Sequence, residues 1–423
     1  MVKKTVLIIG SGGREHALGW RLKHSPKVGK IYFAPGTPGT GTIGESTGIP
    51  ALDFVRLINF AIKNHVDLTV AGPDDILAAG IVNAFQEKGL KIFGATKEAA
   101  KIEWSKSFAK ELMKTELIPT AKYKTFTDAE SAKKYLQQHS FPAVIKASGL
   151  ALGKGVVIAT DLQQAVKTID DVMVRKVFGE AGSVIVVEEF LKGKEISIHV
   201  FSDGENFSIW PTSRDHKPIL DGNNGPNTGG MGTVAPVPGI TKKDMKIIEN
   251  KIVKPALNGL KKRGTPFVGC LYPGLMMTKD GPKVIEFNSR FGDPEMESYM
   301  RLLDTDIYDI LNACVEGELS NQKIKWSKGA ACCIVLASAG YPDGYKKGVE
   351  IHGLNSIKNK DIVVFHFATK EENGKIVSNG GRVLGVTAIG NNLTESLKKA
   401  YSAIGPKGIN FQGMQYRSDI GKI

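Results

Sequence analysis

The chain has 423 residues, more than one hydrophobic core accommodates, so about two to four domains are expected. Its 42% apolar and 23% charged residues exclude a disordered chain, and no apolar run is long enough for a membrane span or a signal peptide, so a cytoplasmic protein with no membrane partner is expected. The formal charge of +13 raises the question of nucleic acid, but the lysines are dispersed along helical stretches (Lys101, Lys106, Lys110, Lys114; Lys242, Lys243, Lys246, Lys251, Lys254) and read as solvated faces, so no nucleic-acid partner is expected.

Residues 5–9 form a continuous apolar run that stops at glycines and leads into helix-compatible sequence through Leu22, the opening of a parallel α/β unit. Strands at 30–34, 68–71 and 92–93, with helices at 52–64 and 76–88, extend it into a doubly wound parallel-sheet domain. An amphipathic helix at 105–117 ends at Ile118-Pro119-Thr120. Strands at 143–147 and 156–160 flank a glycine-rich hairpin loop, and a helix at 162–174 and a strand at 183–189 complete a small α+β lobe. From 196 to about 319 strands alternate with long loops and two helices. Short strands at 331–337, 362–367 and 382–389 and a helix at 393–404 close the chain. Cys270, Cys314, Cys332 and Cys333 show no zinc-ligand spacing and are expected as reduced core thiols.

Three glycine-rich loops carry the first functional signals. Gly10-Ser11-Gly12-Gly13-Arg14-Glu15 departs from the dinucleotide pattern: Glu15 replaces the third glycine, and the second strand ends Tyr32-Phe33-Ala34-Pro35 without an acid for the ribose. Backbone N–H groups at a helix start suit a substrate phosphate, with a plain tight turn as the alternative. The loop from Ser148 to Gly155 contains Gly153-Lys154 but lacks the first glycine and the final Ser or Thr of a Walker A sequence. It reads as a hairpin tip able to fold over a polyphosphate, or as a simple turn. Residues 224–232, preceded by Asp215-His216-Lys217, have a composition that excludes helix and central strand and predicts a loop whose Asn and Thr groups meet a small polar ligand.

Over 284–288, Glu286 and Asn288 alternate with Ile285 and Phe287, which puts a carboxylate and an amide on one face of a strand. Adjacent oxygen ligands suit Mg²⁺, although any half-buried strand alternates in this way. Arg290-Phe291-Gly292-Asp293-Pro294-Glu295 follows, with a guanidinium suited to phosphate or carboxylate. Residues 186–191, with Glu195 beyond, read as a strand entering a hinge. Backbone groups there can read an adenine edge, and a carboxylate can take ribose hydroxyls.

Gly-Gly-Arg-Glu-His-Ala at 12–17, Gly-Pro-Asn-Thr-Gly-Gly-Met-Gly at 225–232 and Arg-Phe-Gly-Asp-Pro-Glu at 290–295 occur in this order, with the closing stretches 380–384 and 416–421. Together they resemble the glycinamide ribonucleotide synthetase family of ATP-grasp ligases over nearly the whole chain. The resemblance implies an α/β and α+β multidomain fold: a Rossmann-like domain at 1–103, a central ATP-grasp domain at 104–122 and 189–325, a lid at 123–188, and a small C-terminal α+β domain at 326–423. It implies ATP with Mg²⁺ or Mn²⁺, and glycine and 5-phosphoribosylamine as substrates; a monomer is expected. Glycine carboxylate attacks the γ-phosphate, and the amine then displaces phosphate from glycyl phosphate.

Carried over by position, Lys106 and Lys146 contact the ATP phosphates, and Gly149, Gly153, Lys154 and Gly155 cover them. Glu188, Phe190 and Leu191 read adenine, and Glu195 the ribose. Glu286 and Asn288 hold the metal. Arg290 orients the acyl phosphate, so Arg290 and Lys146 are the expected catalytic residues. Asp215, Lys217, Gly229 and Gly230 bound the acceptor pocket, and Gly12, Gly13, Arg14, Glu15 and Asp74 bind phosphoribosylamine. The sequence departs from the family pattern at Met296-Glu297, where a small polar residue and Gln are frequent, at Asp304, and at 216–220. Another carboxylate–amine ATP-grasp ligase and a non-catalytic nucleotide-binding protein of the same fold are the alternatives.

Overall fold

The computed structural model describes residues 2–151 and 155–422. The first apolar run becomes the strand Lys4–Gly10, with Val6, Leu7, Ile8 and Ile9 fully buried because helices cover both faces. It is the middle of a five-stranded sheet in the order Glu45–Ser46, Val28–Pro35, Lys4–Gly10, Leu68–Ala71, Ile92–Phe93, parallel throughout. The helix expected over 76–88 is two helices, Asp74–Ala79 and Ile81–Gln86. Gly80 lies between them at φ +92°, a left-handed conformation that ends the first helix.

A second sheet, antiparallel, runs Tyr123–Phe126, Ile185–Glu189, Ala143–Ala147, Val156–Ala159. Phe126, Leu136, Ile145, Ile169 and Val187 give this lobe an apolar core of its own. The helix expected over 162–174 is α-helical only over Leu162–Ile169 and widens over Asp170–Val174. The third sheet is built on the eleven-residue strand Val268–Thr278, which pairs with Lys194–Ser197, Val200–Asp203 and Gly281–Asn288. Its apolar side shares a core with the first sheet, where Ile196, Leu271 and Val284 join Leu7, Ile9 and Leu77.

The fourth sheet runs Arg214–Asp215, Gly232–Ala235, Ala330–Ala337, Arg382–Gly390, Ile362–His366. Two of its strands therefore come from the neighbourhood of the third glycine-rich loop. That stretch is not loop throughout, as its composition predicts: Pro218–Leu220 pairs with Asn224–Asn227, and Gly232 opens a strand inside the sheet. The glycines supply turns between strands, Gly230 at φ +116°. All four cysteines are buried and unpaired, and no helix among the described residues is long and apolar enough to cross a membrane.

The first sheet, the third sheet and the C-terminal sheet meet at Asp293. Arg382 Nη2 lies 3.0 Å from its Oδ1, Arg14 Nε lies 3.6 Å from its Oδ2, and the Arg14 N–H donates to Oδ2 at 3.3 Å. Burial works against this charge, but Arg382 and Arg14 outweigh it and hold the carboxyl below its usual range. Glu297, one helical turn on, is the opposite case. It is fully buried with neither carboxyl oxygen given a donor, and burial, reinforced by Asp293, pushes it well above the carboxylate range.

Two stability predictions follow from these carboxyls. Asp293→Asn leaves two largely buried guanidinium groups without their anion and is expected to lower urea unfolding stability by about 3–5 kcal/mol near neutral pH. Because the folded pKa is depressed, the Asp293 contribution is complete above the unfolded value of about 3.9 and is lost as pH falls through the folded one; a loss equally large in strong acid would contradict the ion-pair account. Glu297 titrates with the opposite sign: its raised folded pKa costs stability as pH rises above about 4.5, by up to about 1.4 kcal/mol per pH unit. Glu297→Gln is therefore expected to unfold at higher urea than the parent at pH 9 and to match it at pH 4.

Candidate active site

The strands Lys194–Ser197, Val268–Thr278 and Gly281–Asn288 carry the centre of the site. Tyr272 lies opposite Asn288, Gly274 opposite Glu286, and Ser197 opposite Gly274, so their side chains share one face of the sheet. Glu286 and Asn288 therefore do stand together. A Cβ on Gly274 would meet only Glu286, at 3.6 Å, so the carboxylate borders open space. Among the described residues no three His, Cys, Asp or Glu side chains converge on a cation position. Two oxygen ligands beside open space fit a hard divalent ion completed by water and phosphate. The Asn288 Oδ1 already accepts from Arg290 Nη2 at 3.0 Å, a contact that ligation has to share.

Arg290 is fixed on its other side by Glu103, 3.2 Å from Nε. Asp74 lies near this pair, its charge acting on both Glu103 and Arg290. Further along the same face, Glu295 accepts from Ser197 Oγ at 3.0 Å and from the Tyr272 hydroxyl at 2.6 Å. Lys217 pairs with Asp215 at 2.6 Å. Burial opposes the Lys217 charge, but Asp215, Glu295 and Glu195 outweigh it and keep it an ammonium well above its ordinary range. Burial raises the Glu195 carboxyl, with Lys217 opposing and Glu286 and Glu295 reinforcing. The residue expected to read ribose therefore stands among the charges of the metal and acceptor region.

Gly230 packs against Asp215, whose oxygen a Cβ would approach to 2.5 Å. The Gly229 carbonyl accepts from Arg382 at 2.8 Å, and the Gly229 N–H donates to the Tyr341 hydroxyl at 3.0 Å, so the C-terminal sheet holds this edge of the pocket.

The second sheet contributes Lys146, which donates to the Ile285 carbonyl at 2.9 Å and pairs with Glu188 at 3.0 Å. The Glu188 carboxylate faces Lys146 and Lys110, the latter at 3.2 Å, and so is engaged by two ammonium groups instead of being free for adenine. Lys106 starts the helix Lys106–Thr115. Its ammonium is lowered by burial, with Glu286 opposing, which sets it near Glu286. Its backbone N–H donates to Ser148 O at 2.9 Å and its Nζ reaches Gly149 O at 3.5 Å. Gly155 closes the loop by accepting from Ala147 N at 2.8 Å. Gly153 and Lys154 lie outside the described residues. Phe190 is partly exposed and Leu191 half-buried at the strand end beyond Glu188.

The first glycine loop differs most from expectation. Glu15 does not obstruct the helix. Its carboxyl is buried against Gly10, Gly12 and Gly72, accepts the Gly12 N–H at 2.6 Å, and is raised by burial to about 7. Arg14 donates to the Phe291 carbonyl at 3.1 Å and to Gly72 O at 3.4 Å. The Gly12 and Arg14 amides are thus already given to Glu15 and Asp293, leaving Gly13 as the amide of this turn not bonded to either. A phosphate cradle made of all three is not what the loop forms.

Four residues that matter here are absent from the sequence expectations as site residues: Glu103, Lys110, Glu295 and Arg382. Lys110, expected on a solvated face, is 2% exposed. Its spacing of four from Lys106 places both on one helix face, a signal the sequence contains. Glu295 and Arg382 stand inside the quoted motifs, whereas nothing local marks Glu103.

Three family models cover the chain in succession: the N domain of phosphoribosylglycinamide synthetase at residues 4–103, its ATP-grasp (A) domain at 104–296 and its C domain at 331–423. The chain is 47% identical over 415 residues to the phosphoribosylamine–glycine ligase of Caldanaerobacter subterraneus, covering 98% of this chain and 99% of the relative. It is 45% identical to the trifunctional purine biosynthetic protein adenosine-3 of Gallus gallus over 98% of this chain and 42% of that longer protein. The crystal structure of phosphoribosylamine–glycine ligase from Thermotoga maritima superposes with a TM-score of 0.84 at 32% identity, covering 98% of this chain and 99% of that one. The biotin carboxylase domain of 2-oxoglutarate carboxylase from Hydrogenobacter thermophilus, 16% identical with a TM-score of 0.76 over 98% of this chain and 92% of its own, shares the fold alone. With its N, ATP-grasp and C models matched in order and a relative of equal length 47% identical, the chain belongs to the phosphoribosylglycinamide synthetase family.

Proposed function

We propose that the chain joins glycine to 5-phosphoribosylamine at the expense of ATP, through glycyl phosphate, giving glycinamide ribonucleotide, ADP and phosphate. The observation that carries this reading is the chain of neighbouring charged and polar groups: Lys106 and Lys146, then Glu286 and Asn288, then Arg290, Glu195 and Glu295, then Lys217 and Asp215. It offers cations to a polyphosphate at one end and a mixed acid–base pocket to an amino acid and an amine at the other.

In this reading the sheet at 123–189 acts as lid and the ATP polyphosphate lies between it and the third sheet. Lys106 and Lys146 meet the phosphates, and the backbone at Glu188, Phe190 and Leu191 meets adenine. Glu286 and Asn288 hold Mg²⁺ or Mn²⁺, which when bound neutralises charge on the phosphates. A glycine carboxylate oxygen forms the bond to the γ-phosphorus and ADP leaves. The acceptor nitrogen then bonds to the glycyl carbonyl carbon, and phosphate leaves as the amine gives up its proton. Arg290, already held by Glu103, orients the acyl phosphate by bidentate contact. Lys217 with Asp215, under the turn at 229–230, bounds the acceptor pocket. Asp74 and the outward side of the 12–14 turn line its phosphoribosyl end, with Glu15 shaping that turn from beneath.

ADP release measured with glycine and phosphoribosylamine omitted in turn is expected to require both. Turnover indifferent to glycine would favour another carboxylate–amine pair on the same machinery. Glu286→Gln keeps the shape but removes the charge, and is expected to lower kcat by about 10²-fold or more while the thermal midpoint without ligands stays unchanged. Unaltered turnover in that variant would remove Glu286 from the metal site.

A further inference from the structure

We infer that Lys110 is a positioning residue for the nucleotide phosphates: it holds Glu188 and supplies the surplus positive charge that leaves Lys146 free to face them. The inference rests on the ATP reading above. One oxygen of Glu188 lies 3.0 Å from Lys146 Nζ and 3.2 Å from Lys110 Nζ, and all three side chains are at most 4% exposed. A carboxylate with one ammonium is neutral and offers an anion nothing; the same carboxylate with two carries a net single positive charge into a dry site.

Lys110 is held from several directions. Its Nζ donates to Thr120 Oγ1 at 2.7 Å, the Thr120 hydroxyl donates to the Val284 carbonyl at 2.7 Å, and Nζ stands 5.2 Å from the centre of the Tyr123 ring. The Tyr123 hydroxyl donates to the Lys110 carbonyl at 2.8 Å. Lys110 belongs to the helix Lys106–Thr115 while Glu188 and Lys146 belong to the lid sheet, and Lys146 in turn donates across to Ile285. The two lysines thus cross the joint in opposite directions and meet at one oxygen. Without Lys110, Glu188 has, among the described residues, Lys146 as its one ion-pair partner and draws that ammonium away from the phosphates.

The groups facing Lys110 are Glu188 and Glu189 from the strand Ile185–Glu189, Lys146 from the neighbouring strand, Tyr123 from the strand Tyr123–Phe126, and the Thr120 hydroxyl. Lys106, on the same helix, is turned toward Glu286. Burial lowers the Lys110 ammonium to about 8, against the opposing pull of Glu188. The surplus charge is therefore present below that pH and lost above it.

Calorimetric titration of the full chain with ADP and Mg²⁺ at pH 7 and pH 9 tests this without glycine or acceptor. The parent is expected to bind about tenfold more weakly at pH 9 than at pH 7. Lys110→Met is expected to bind about tenfold more weakly than the parent at pH 7 and to show no further step. Lys110→Arg, whose guanidinium keeps its proton, is expected to bind well at both. A purely structural lysine predicts instead that Lys110→Met lowers the thermal midpoint and leaves the Kd of the folded chain unchanged, and that result overturns the proposal. So does a Lys110→Arg chain that keeps the full parental pH step, a criterion that stands even where the Met variant does not fold. A parent chain that binds no nucleotide at either pH overturns the ATP reading along with it.

Discussion

Asp293 is the point at which three sheets acquire a fixed relation. Its carboxylate takes Arg14 from the first helix and Arg382 from the C-terminal sheet, and its own carbonyl accepts from Arg382 at 2.9 Å. Apolar packing brings these sheets close without specifying their register to the fraction of an ångström that a reacting pair needs. A carboxylate between two guanidinium groups does specify it, because the hydrogen-bond directions on both sides are narrow. Arg382 then passes the constraint on through the Gly229 and Gly230 carbonyls to the turn that packs against Asp215.

The neighbouring acids show why this arrangement works. Glu15 and Glu297 are buried like Asp293 and Glu195 is half-buried, yet burial dominates and their carboxyls rise, whereas Asp293 and Glu295 fall. The difference is the donors. Asp293 has two guanidinium groups; Glu295 has Lys217 nearby and hydroxyls from Ser197 and Tyr272. Glu297 has none, and Glu15 has one amide and a guanidinium at 3.6 Å. With Glu297 pushed well above the carboxylate range and Glu15 raised to about 7, fewer negative charges compete with Asp293 for its two arginines. The site is thus a set of ionised groups with assigned partners, bordered by acids whose carboxyls burial raises.

Much of this was legible in the sequence because the informative residues are local. Alternation in 284–288 placed Glu286 and Asn288 on one face, and the apolar run at 5–9 marked the central parallel strand, since two-residue periodicity and unbroken burial need no knowledge of the rest of the chain. What the sequence did not disclose depends on contacts across long separations. The family resemblance makes Glu188 an adenine ligand; its carboxylate is taken by Lys110 and Lys146, residues 78 and 42 positions away. Lys110 read as a solvated face because a single helix cannot show which of its sides another lobe will cover. The glycine-rich stretch at 224–232 was read from composition as loop alone, and its two short strands exist because Pro218–Leu220 and Ala330–Ala337 lie ready to pair with them.

The joint between the lobe at 123–188, the lid of the proposed reading, and the rest of the chain is crossed by polar contacts. The lid keeps its apolar side chains in a core of its own. What crosses to the body is polar: Lys146 to Ile285, Lys110 to Glu188, the Lys106 amide to Ser148, and the Ser148 hydroxyl on the Ser107 amide. The neutral hydrogen bonds among them exchange their partner for water at a net cost of about 1 kcal/mol each, whereas the Lys110–Glu188 pair and the Lys146 contact are charge-assisted and stronger. In the proposed reading, the same lysines that fasten the joint are the cations a polyphosphate meets, so the charge of the nucleotide replaces the contacts it displaces.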